Sequence, residues 1–227
     1  MAKAFPNTGA TVIDSVADLP AASADLEGVM VFQKDSNELK ICNGFSWVSV
    51  VDTDRPPALS LIVNYSFSNV SGVDFDGIFS SDFTNYRFLI AASHTASAGT
   101  INFNAQMRVS NSTYSGSTYD YASHSAFGDA SASTGGSYNQ ASFVGAAISN
   151  GTNAGSQPAY TTLDIFAPNL TKWTAISGLR NAYNQSPNQF FTGYYGGVVR
   201  QTTAYDGIRF SGAYNVTGNI SIYGYRI

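Results

Sequence analysis

The chain contains 227 residues with a formal net charge of −4; only 11% of its residues are charged, whereas 14% are aromatic. This length fits one large all-β domain or a medium-sized domain with a small appendage. The low, acidic charge argues against nucleic-acid binding, which requires clustered lysine and arginine. The single cysteine, Cys42, excludes an intramolecular disulfide and predicts a small buried apolar residue.

The first residues, MAKAFPNTGATVIDSV, contain no apolar stretch of the roughly 7–15 residues that mark a secretory signal. No segment approaches the roughly 18 apolar residues of a membrane helix. The sequence therefore predicts a protein that is assembled in the cytoplasm without membrane insertion. Its surface, rich in hydroxyl and amide groups, is nevertheless typical of adhesins, lectins and virion proteins, and release of virus particles by lysis would reconcile the two properties.

Residues 26–51 predict a three-stranded meander at the front of the chain. Its strands are expected at 29–33, 39–42 and 47–51. Asn43-Gly44 is a strong signal for a two-residue hairpin. Strands this short leave too much apolar surface uncovered to be stable alone. A sister chain, a partner protein or the main body must cover it, and we favour the first two; the anchoring residues are then Phe32, Leu39, Ile41, Phe45 and Trp47.

A polar segment that ends in Pro56-Pro57 follows this meander. Adjacent prolines stiffen a linker and separate the parts that it joins. We therefore place a virion-anchoring or oligomerisation unit at 1–52, a linker at 53–58 and the main body at 59–227.

In the main body, apolar and polar residues alternate with the two-residue period of β-strands, and there is almost no helical periodicity. Strands are expected at 59–67, 86–91 and 101–110, and the last of these alternates apolar and polar residues most clearly. Further strands are expected at 141–148, 161–167, 171–176 and 189–192. The final segment, 207–227, predicts two strands joined by a tight connection at 215–219. This pattern favours an all-β fold, a jelly-roll-like antiparallel β-sandwich.

The segment 110–136 is rich in Ser, Gly, Ala and Tyr. One interpretation is a polar outer strand with a long connection. The other is a loop that contacts a receptor or glycan, because binding loops combine small adaptable residues with tyrosine. In that case Tyr114, Tyr119 and Tyr121 would make the contacts.

Catalytic and metal-binding patterns are weak. His94 and His124 lack the companion ligands of a zinc site. Asp74 and Asp76 have the residue type for calcium but not the spacing of the helix–loop–helix calcium motif, so a turn is expected there. The only glutamates, Glu27 and Glu38, both lie in the front unit, which disfavours a glycosidase pair. We predict no catalytic residue, metal or cofactor.

Four segments of the main body resemble the C-terminal β-domain of bacteriophage structural proteins. They are FDGIFSSDFTNYRFLIAAS at 75–93, INFNAQMRVS at 101–110, TLDIFAPN at 162–169 and AYDGIRFSGAYNVTGNISIYGYRI at 204–227. Proteins with such domains are tail fibres, spikes and head-decoration proteins, often of phages with marine or cyanobacterial hosts. The front unit is similar to a small module that precedes these domains, which starts at Leu19-Pro20 and ends in Asn43-Gly44-x-x-Trp47.

The resemblance implies a homotrimer in the virion, attached by its front unit, with the β-body facing outward; it supplies no catalytic residue. We therefore expect a non-enzymatic trimeric fibre or spike whose partners are other virion proteins and host surface polysaccharide. A carbohydrate-binding, lectin-like module and a capsid decoration protein without a receptor role are the alternatives. A polysaccharide depolymerase is a third class, which would release clipped glycan.

Overall fold

A computed structural model of the protein describes residues 11–50, 59–96, 100–150, 157–185 and 188–225. The chain divides into two compact units, Met1–Pro56 and Pro57–Ile227. The linker predicted at 53–58 lies outside the described residues. No helix within these ranges is long and apolar enough to cross a membrane.

The front unit contains a four-stranded sheet in the order β1-β2-β3-β4. Its strands are β1 (Thr11–Ile13), β2 (Met30–Gln33), β3 (Glu38–Cys42) and β4 (Trp47–Ser49). β1 runs parallel to β2, and the other neighbours are antiparallel. The predicted meander is confirmed; β1 was not predicted, because three residues are too few to show a periodicity.

The connection between β3 and β4 lies at the predicted place, but Cys42 pairs with Trp47, so the loop has four residues, 43–46, and the predicted two-residue hairpin is wrong. The Asn43 side-chain oxygen accepts hydrogen bonds from the backbone N–H groups of Phe45 at 3.0 Å and Ser46 at 2.8 Å. Gly44 has a φ of 86°, a left-handed value that glycine adopts without steric cost. Cys42 is buried, in agreement with the expectation for a lone cysteine.

The main body contains eleven strands in one hydrogen-bonded sheet. They are β5 (Leu59–Phe75), β6 (Asn85–His94), β7 (Ile101–Val109), β8 (Ser112–Thr113), β9 (Tyr119–Phe127), β10 (Ala132–Gln140), β11 (Phe143–Ser149), β12 (Ala159–Phe166), β13 (Thr174–Gln185), β14 (Asn188–Val199) and β15 (Gly207–Tyr225). The strand order is β10-β9-β14-β13-β12-β6-β15-β7-β11, with β5 also paired to β15 and β8 to β7.

The sheet folds over along β15, which changes partners halfway. Residues 207–212 of β15 pair with β7, whereas residues 216–225 pair with β6, and β5 follows both halves. β11, paired to β7, packs across β12 and β6 of the other half. The body is therefore a curled, sandwich-like fold, which confirms the predicted all-β sandwich; the jelly-roll connectivity stays a prediction.

The two terminal strands predicted around 215–219 are one continuous strand. The register of β15 shifts between Ser211 and Val216, where the strand passes from one layer to the other. Bulges and bends of this kind let a strand take part in both sheets of a sandwich. The turn-forming residues of this segment therefore mark a bend, and the prediction of a tight connection is wrong.

The core lies between the two layers and is dominated by aromatic side chains. The ring of Phe210 lies 5.7 Å from that of Phe88 and 5.6 Å from that of Phe103, and all three are fully buried. On β7, Phe103, Ala105 and Met107 are buried, as the alternation of this segment predicts. Each buried side chain of this size contributes about 1.5–3 kcal/mol to folding.

Candidate binding surfaces

One face of the front-unit sheet is apolar. Strand pairing aligns Met30 with Ile41 and Ile41 with Val48, and it aligns Val12 and Leu39 with Phe32. Because side chains alternate along a strand, these residues share one face. We call it the anchor face; it consists of Val12, Met30, Phe32, Leu39, Ile41 and Val48. Val12 is 56% exposed and Met30 is 46% exposed, and no member of the face is charged.

Three of the five predicted anchoring residues, Phe32, Leu39 and Ile41, lie on the anchor face, where they are half-buried. Phe45 lies at the hairpin tip and is 92% exposed. Trp47 lies on the opposite face, since it pairs with the buried Cys42.

The indole N–H of Trp47 donates to the carbonyl of Pro20 at 2.8 Å. Trp47 thus joins the two ends of the Leu-Pro…Asn-Gly-x-x-Trp pattern. Its expected role as an outward anchor needs correction, because the side chain is held within its own unit.

The segment 110–136 is not a loop. It contains β8, β9 and most of β10, and β9 pairs with β14 on one side and β10 on the other. This arrangement corresponds to outer strands and not to a contact loop. The composition of the segment could not identify these strands, because Ser, Gly and Ala occur on both of their faces.

All three predicted contact tyrosines pack in the core or against it. Tyr119 is fully buried; its hydroxyl accepts from the N–H of Met107 at 3.0 Å and donates to the carbonyl of Tyr114 at 2.8 Å. Burial raises the pKa of the Tyr119 hydroxyl well above its usual value. Tyr114 is half-buried, and its ring packs against Tyr119 and Tyr205. The receptor-contact prediction is therefore wrong for Tyr119, and Tyr114 packs mainly inside the fold.

Tyr121 lines a shallow groove of about 510 Å³ across β10, β9 and β14. Its ring, however, is half-buried and stacks on the buried Tyr195 with centroids 5.6 Å apart, so the ring packs against the core on the face of β9 opposite to Ala122. The floor of the groove is a row of small residues, since Gly136 pairs with Ala122 and Ala122 with Gly196. We call this surface the tyrosine groove.

Tyr138 forms the rim of the tyrosine groove and is 74% exposed. It lies in a β-bulge, where the register of β10 shifts between Ser137 and Gln140 and Asn139 adopts a φ of 56°. Bulges re-aim side chains in this way. The sequence analysis missed Tyr138 because it lies just beyond the low-complexity segment, and its aromatic side chain between polar neighbours was the only signal.

A charged pair fixes the bulge beside Tyr138. The Asp120 carboxylate accepts from the N–H of Asn139 at 2.8 Å and lies 2.6 Å from Nε of Arg200. Arg200 also donates to the side-chain oxygen of Asn139. The Asn139 N–H, together with Arg200, lowers the pKa of Asp120 below its usual value. Asp120 therefore stays ionised, and the groove presents fixed polar groups beside an exposed aromatic ring.

The aspartates considered for calcium are paired with arginine. Arg108 binds Asp76 through Nε at 2.6 Å and Nη2 at 3.1 Å, and it lies 3.3 Å from Asp74. Their charge is thus balanced within the protein. Among the described residues, no group of three or more His, Cys, Asp or Glu side chains is placed to hold a metal ion.

The two histidines have different surroundings. His94 is buried and contacts the Ser149 hydroxyl through Nδ1 at 3.1 Å, whereas His124 is exposed on β9. The described residues thus form an apolar face on the front unit and a groove with an exposed tyrosine and polar neighbours on the main body. No protein-family model, curated protein or solved structure matches this chain.

Proposed function

We propose that this chain is a non-enzymatic bacteriophage virion protein, a trimeric fibre or spike that joins the particle through its front unit and binds host-surface glycan through its body. The observation that carries the proposal is the anchor face. The resemblance of both units to phage fibre and spike proteins supports the choice of a virion over other assemblies.

The anchor face has the composition of a permanent interface. Its six side chains are all apolar, and those of Val12 and Met30 remain about half exposed in the single chain. Obligate interfaces are more apolar than ordinary protein surface, whereas transient ones are not. Covering such a face gains about 25 cal/mol per Å² of apolar area. Three copies that pack these faces together would stabilise a unit too small to be very stable alone.

The tyrosine groove has the features of a weak glycan site. An exposed ring such as that of Tyr138 can stack on the apolar face of a sugar, while the Asp120 carboxylate, which Arg200 holds in place, offers a fixed polar partner for hydroxyls. The small floor residues allow close approach of a flat ligand. A trimer would present three grooves, and avidity would compensate for a modest affinity at each.

Assembly through the anchor face is tested by a single substitution that introduces a charge into it. Met30→Glu places a carboxylate in the face and is expected to prevent association. Val16→Glu is the matched control, because Val16 is 59% exposed but lies on a short 3-10 turn outside the sheet. Light scattering coupled to gel filtration should give three times the chain mass of 24.1 kDa for the wild type and Val16→Glu, and one chain mass for Met30→Glu. A monomeric wild type at micromolar concentration contradicts the proposal.

Glycan recognition is tested by removing the rim of the groove. Tyr138→Ala should weaken binding on a glycan array by about tenfold or more, since it removes the stacking surface. Tyr160→Ala, on the 55%-exposed Tyr160 of β12, should bind as the wild type does. Equal binding by Tyr138→Ala and the wild type would favour a decoration protein that does not use this groove. Release of glycan fragments would show a depolymerase instead.

A free lectin is the second candidate, and the tyrosine groove alone would suit it. The anchor face distinguishes the two, because a free lectin gains nothing from an exposed apolar sheet. If Met30→Glu leaves the solution mass unchanged while Tyr138→Ala loses glycan binding, the lectin is the better description.

A further inference from the structure

A second cavity, of about 320 Å³, opens on the other face of β9 from the floor of the tyrosine groove. Both layers of the fold line it: Asn102 and Ile148 come from one layer, and Ser125, Arg180 and Phe191 from the other. Its volume is at the lower end of the roughly 300–1,000 Å³ of small-molecule sites.

Arg180 lines this cavity and is only 6% exposed. Its Nη1 donates to the carbonyl of Gly145 at 2.6 Å, and its guanidinium lies 5.2 Å from the centre of the Tyr195 ring. Its Nε has no hydrogen-bond partner in the described part of the chain. No carboxylate of these residues forms an ion pair with it. A buried charge without a carboxylate is costly, and burial accordingly lowers the pKa of Arg180.

Two other arginines of the same body, Arg87 and Arg108, each bind a carboxylate through two nitrogens of the guanidinium. Arg87 binds Asp164 through Nε and Nη2, both at 2.8 Å, and Arg108 binds Asp76 through the same two nitrogens. This side-on fork matches the two oxygens of a carboxylate. In Arg180 Nη1 is occupied by the Gly145 carbonyl, whereas Nε is buried without a partner in the described part of the chain.

A bulge in β11 holds Arg180 in this orientation. The register of β11 shifts between Phe143 and Ala147, and Gly145 within it has a φ of 70°. A Cβ at Gly145 would lie 2.7 Å from the side-chain oxygen of Asn102 and 3.2 Å from Nη1 of Arg180. Glycine at this position avoids both contacts and lets its carbonyl accept the hydrogen bond from Nη1.

The remaining walls divide into a polar and an apolar side. Ser123, Ser125 and Asn102 offer hydroxyl and amide groups, while Phe127 and Phe191 offer aromatic surface. A ligand with a carboxylate, several hydroxyls and one apolar face matches all three features. That description fits a sugar acid better than phosphate, which has no apolar face, or a fatty acid, which has no hydroxyls.

We propose that this cavity binds one uronic-acid residue, with the sugar carboxylate on the guanidinium of Arg180. The site adds a preference for acidic polysaccharide to the glycan binding proposed above. It shares no lining residue with the tyrosine groove, so each site can be tested without the other.

The test is titration of the full-length protein with D-glucuronate, D-glucose and inorganic phosphate, followed by NMR and calorimetry. Glucuronate should bind in the millimolar range, and glucose should not bind detectably. Arg180→Met should weaken glucuronate binding at least about tenfold, because it removes a charged, bidentate pair of hydrogen bonds. Arg180→Lys keeps the charge without the fork and should also bind more weakly.

Arg87→Met is the matched control, since it removes a paired arginine of the same sheet and should leave glucuronate binding unchanged. If Arg180→Met does not fold, Asn102→Phe replaces it; this exposed position at the cavity should accept the ring, which closes the site while Arg180 is retained.

Binding of phosphate as tight as that of glucuronate would overturn the proposal, as would glucuronate binding that survives in a folded Arg180→Met or Asn102→Phe protein. Absence of glucuronate binding to the wild type would show that Arg180 is structural only. Tyr138→Ala should bind free glucuronate normally, so failure here is distinct from failure of the tyrosine groove.

Discussion

Tyr119 and Tyr138 lie on paired strands, yet their side chains meet opposite surroundings. Tyr119 is fully buried and makes two hydrogen bonds to backbone groups, whereas Tyr138 is 74% exposed. The difference comes from strand parity on β9 and from the bulge in β10, not from residue type. Tyr138 is therefore free to contact a ligand, whereas Tyr119 would have to leave the core to do so.

The pKa of His94 also depends on the surroundings of its side chain. It is 4% exposed, its ring stacks on Tyr214 with centroids 5.6 Å apart, and its Nε2 has no partner among the described residues. Burial lowers the pKa of His94 below its usual value of about 6.5. Between these two pKa values the unfolded chain binds more protons than the folded one, so stability rises with pH in this window and is lost as pH falls through it.

We predict that the free energy of unfolding of the wild type falls between about pH 7.5 and about pH 5.5 more steeply than that of His94→Gln. Urea titrations at several pH values measure the slope. His124→Gln is the control for replacing a histidine at an exposed position. Identical slopes for the wild type and His94→Gln would show that the buried ring does not determine this dependence.

Among the elements, β15 contains two glycines that lie very close to the backbone of neighbouring strands. A Cβ at Gly218 would lie 2.0 Å from the carbonyl oxygen of Ala91, and one at Gly207 would lie 2.2 Å from that of Phe75. Backbone atoms cannot move aside as a flexible side chain can. Glycine is therefore required at these two positions for β6 and β5 to pair with β15.

We predict that Gly218→Ala lowers the free energy of unfolding by about 1–3 kcal/mol or more, because the added methyl group must push two paired strands apart. Gly128→Ala is the control: its Cβ would lie 3.6 Å from the nearest atom, an ordinary contact, so a change within about 0.5 kcal/mol is expected. Urea unfolding measures both. A neutral Gly218→Ala would mean that β15 and β6 pair less closely than the structure shows.

The elements also show what the sequence could and could not predict. The alternation at 101–110 identified the buried face of β7 because apolar and polar residues are cleanly separated there. The same reasoning found the meander of the front unit but not the continuity of β15, since Asn, Gly and Thr form bends as readily as turns. The cavity at Arg180 could not be predicted at all, because its lining comes from strands far apart in sequence and depends on a bulge at Gly145.

At the scale of the whole molecule, the two units differ in how much apolar surface each buries within itself. The main body buries a large aromatic core between its layers. In the front unit, Val31 and Cys42 are buried, while the anchor face keeps apolar side chains at the surface. A unit of this size is marginal by itself, and association through the anchor face would add the missing apolar burial.

Each unit contains one of the two tryptophans, Trp47 in front and Trp173 in the body. Trp173→Phe, at a 57%-exposed side chain, leaves Trp47 as the only fluorescent indole. We predict that Trp47 fluorescence reports a front-unit transition at lower urea concentration than the far-ultraviolet circular dichroism of the body. Because association binds folded chains only, this transition should move to higher urea as protein concentration rises, while the body transition stays in place. A single coincident transition that does not depend on concentration would contradict assembly through the front unit.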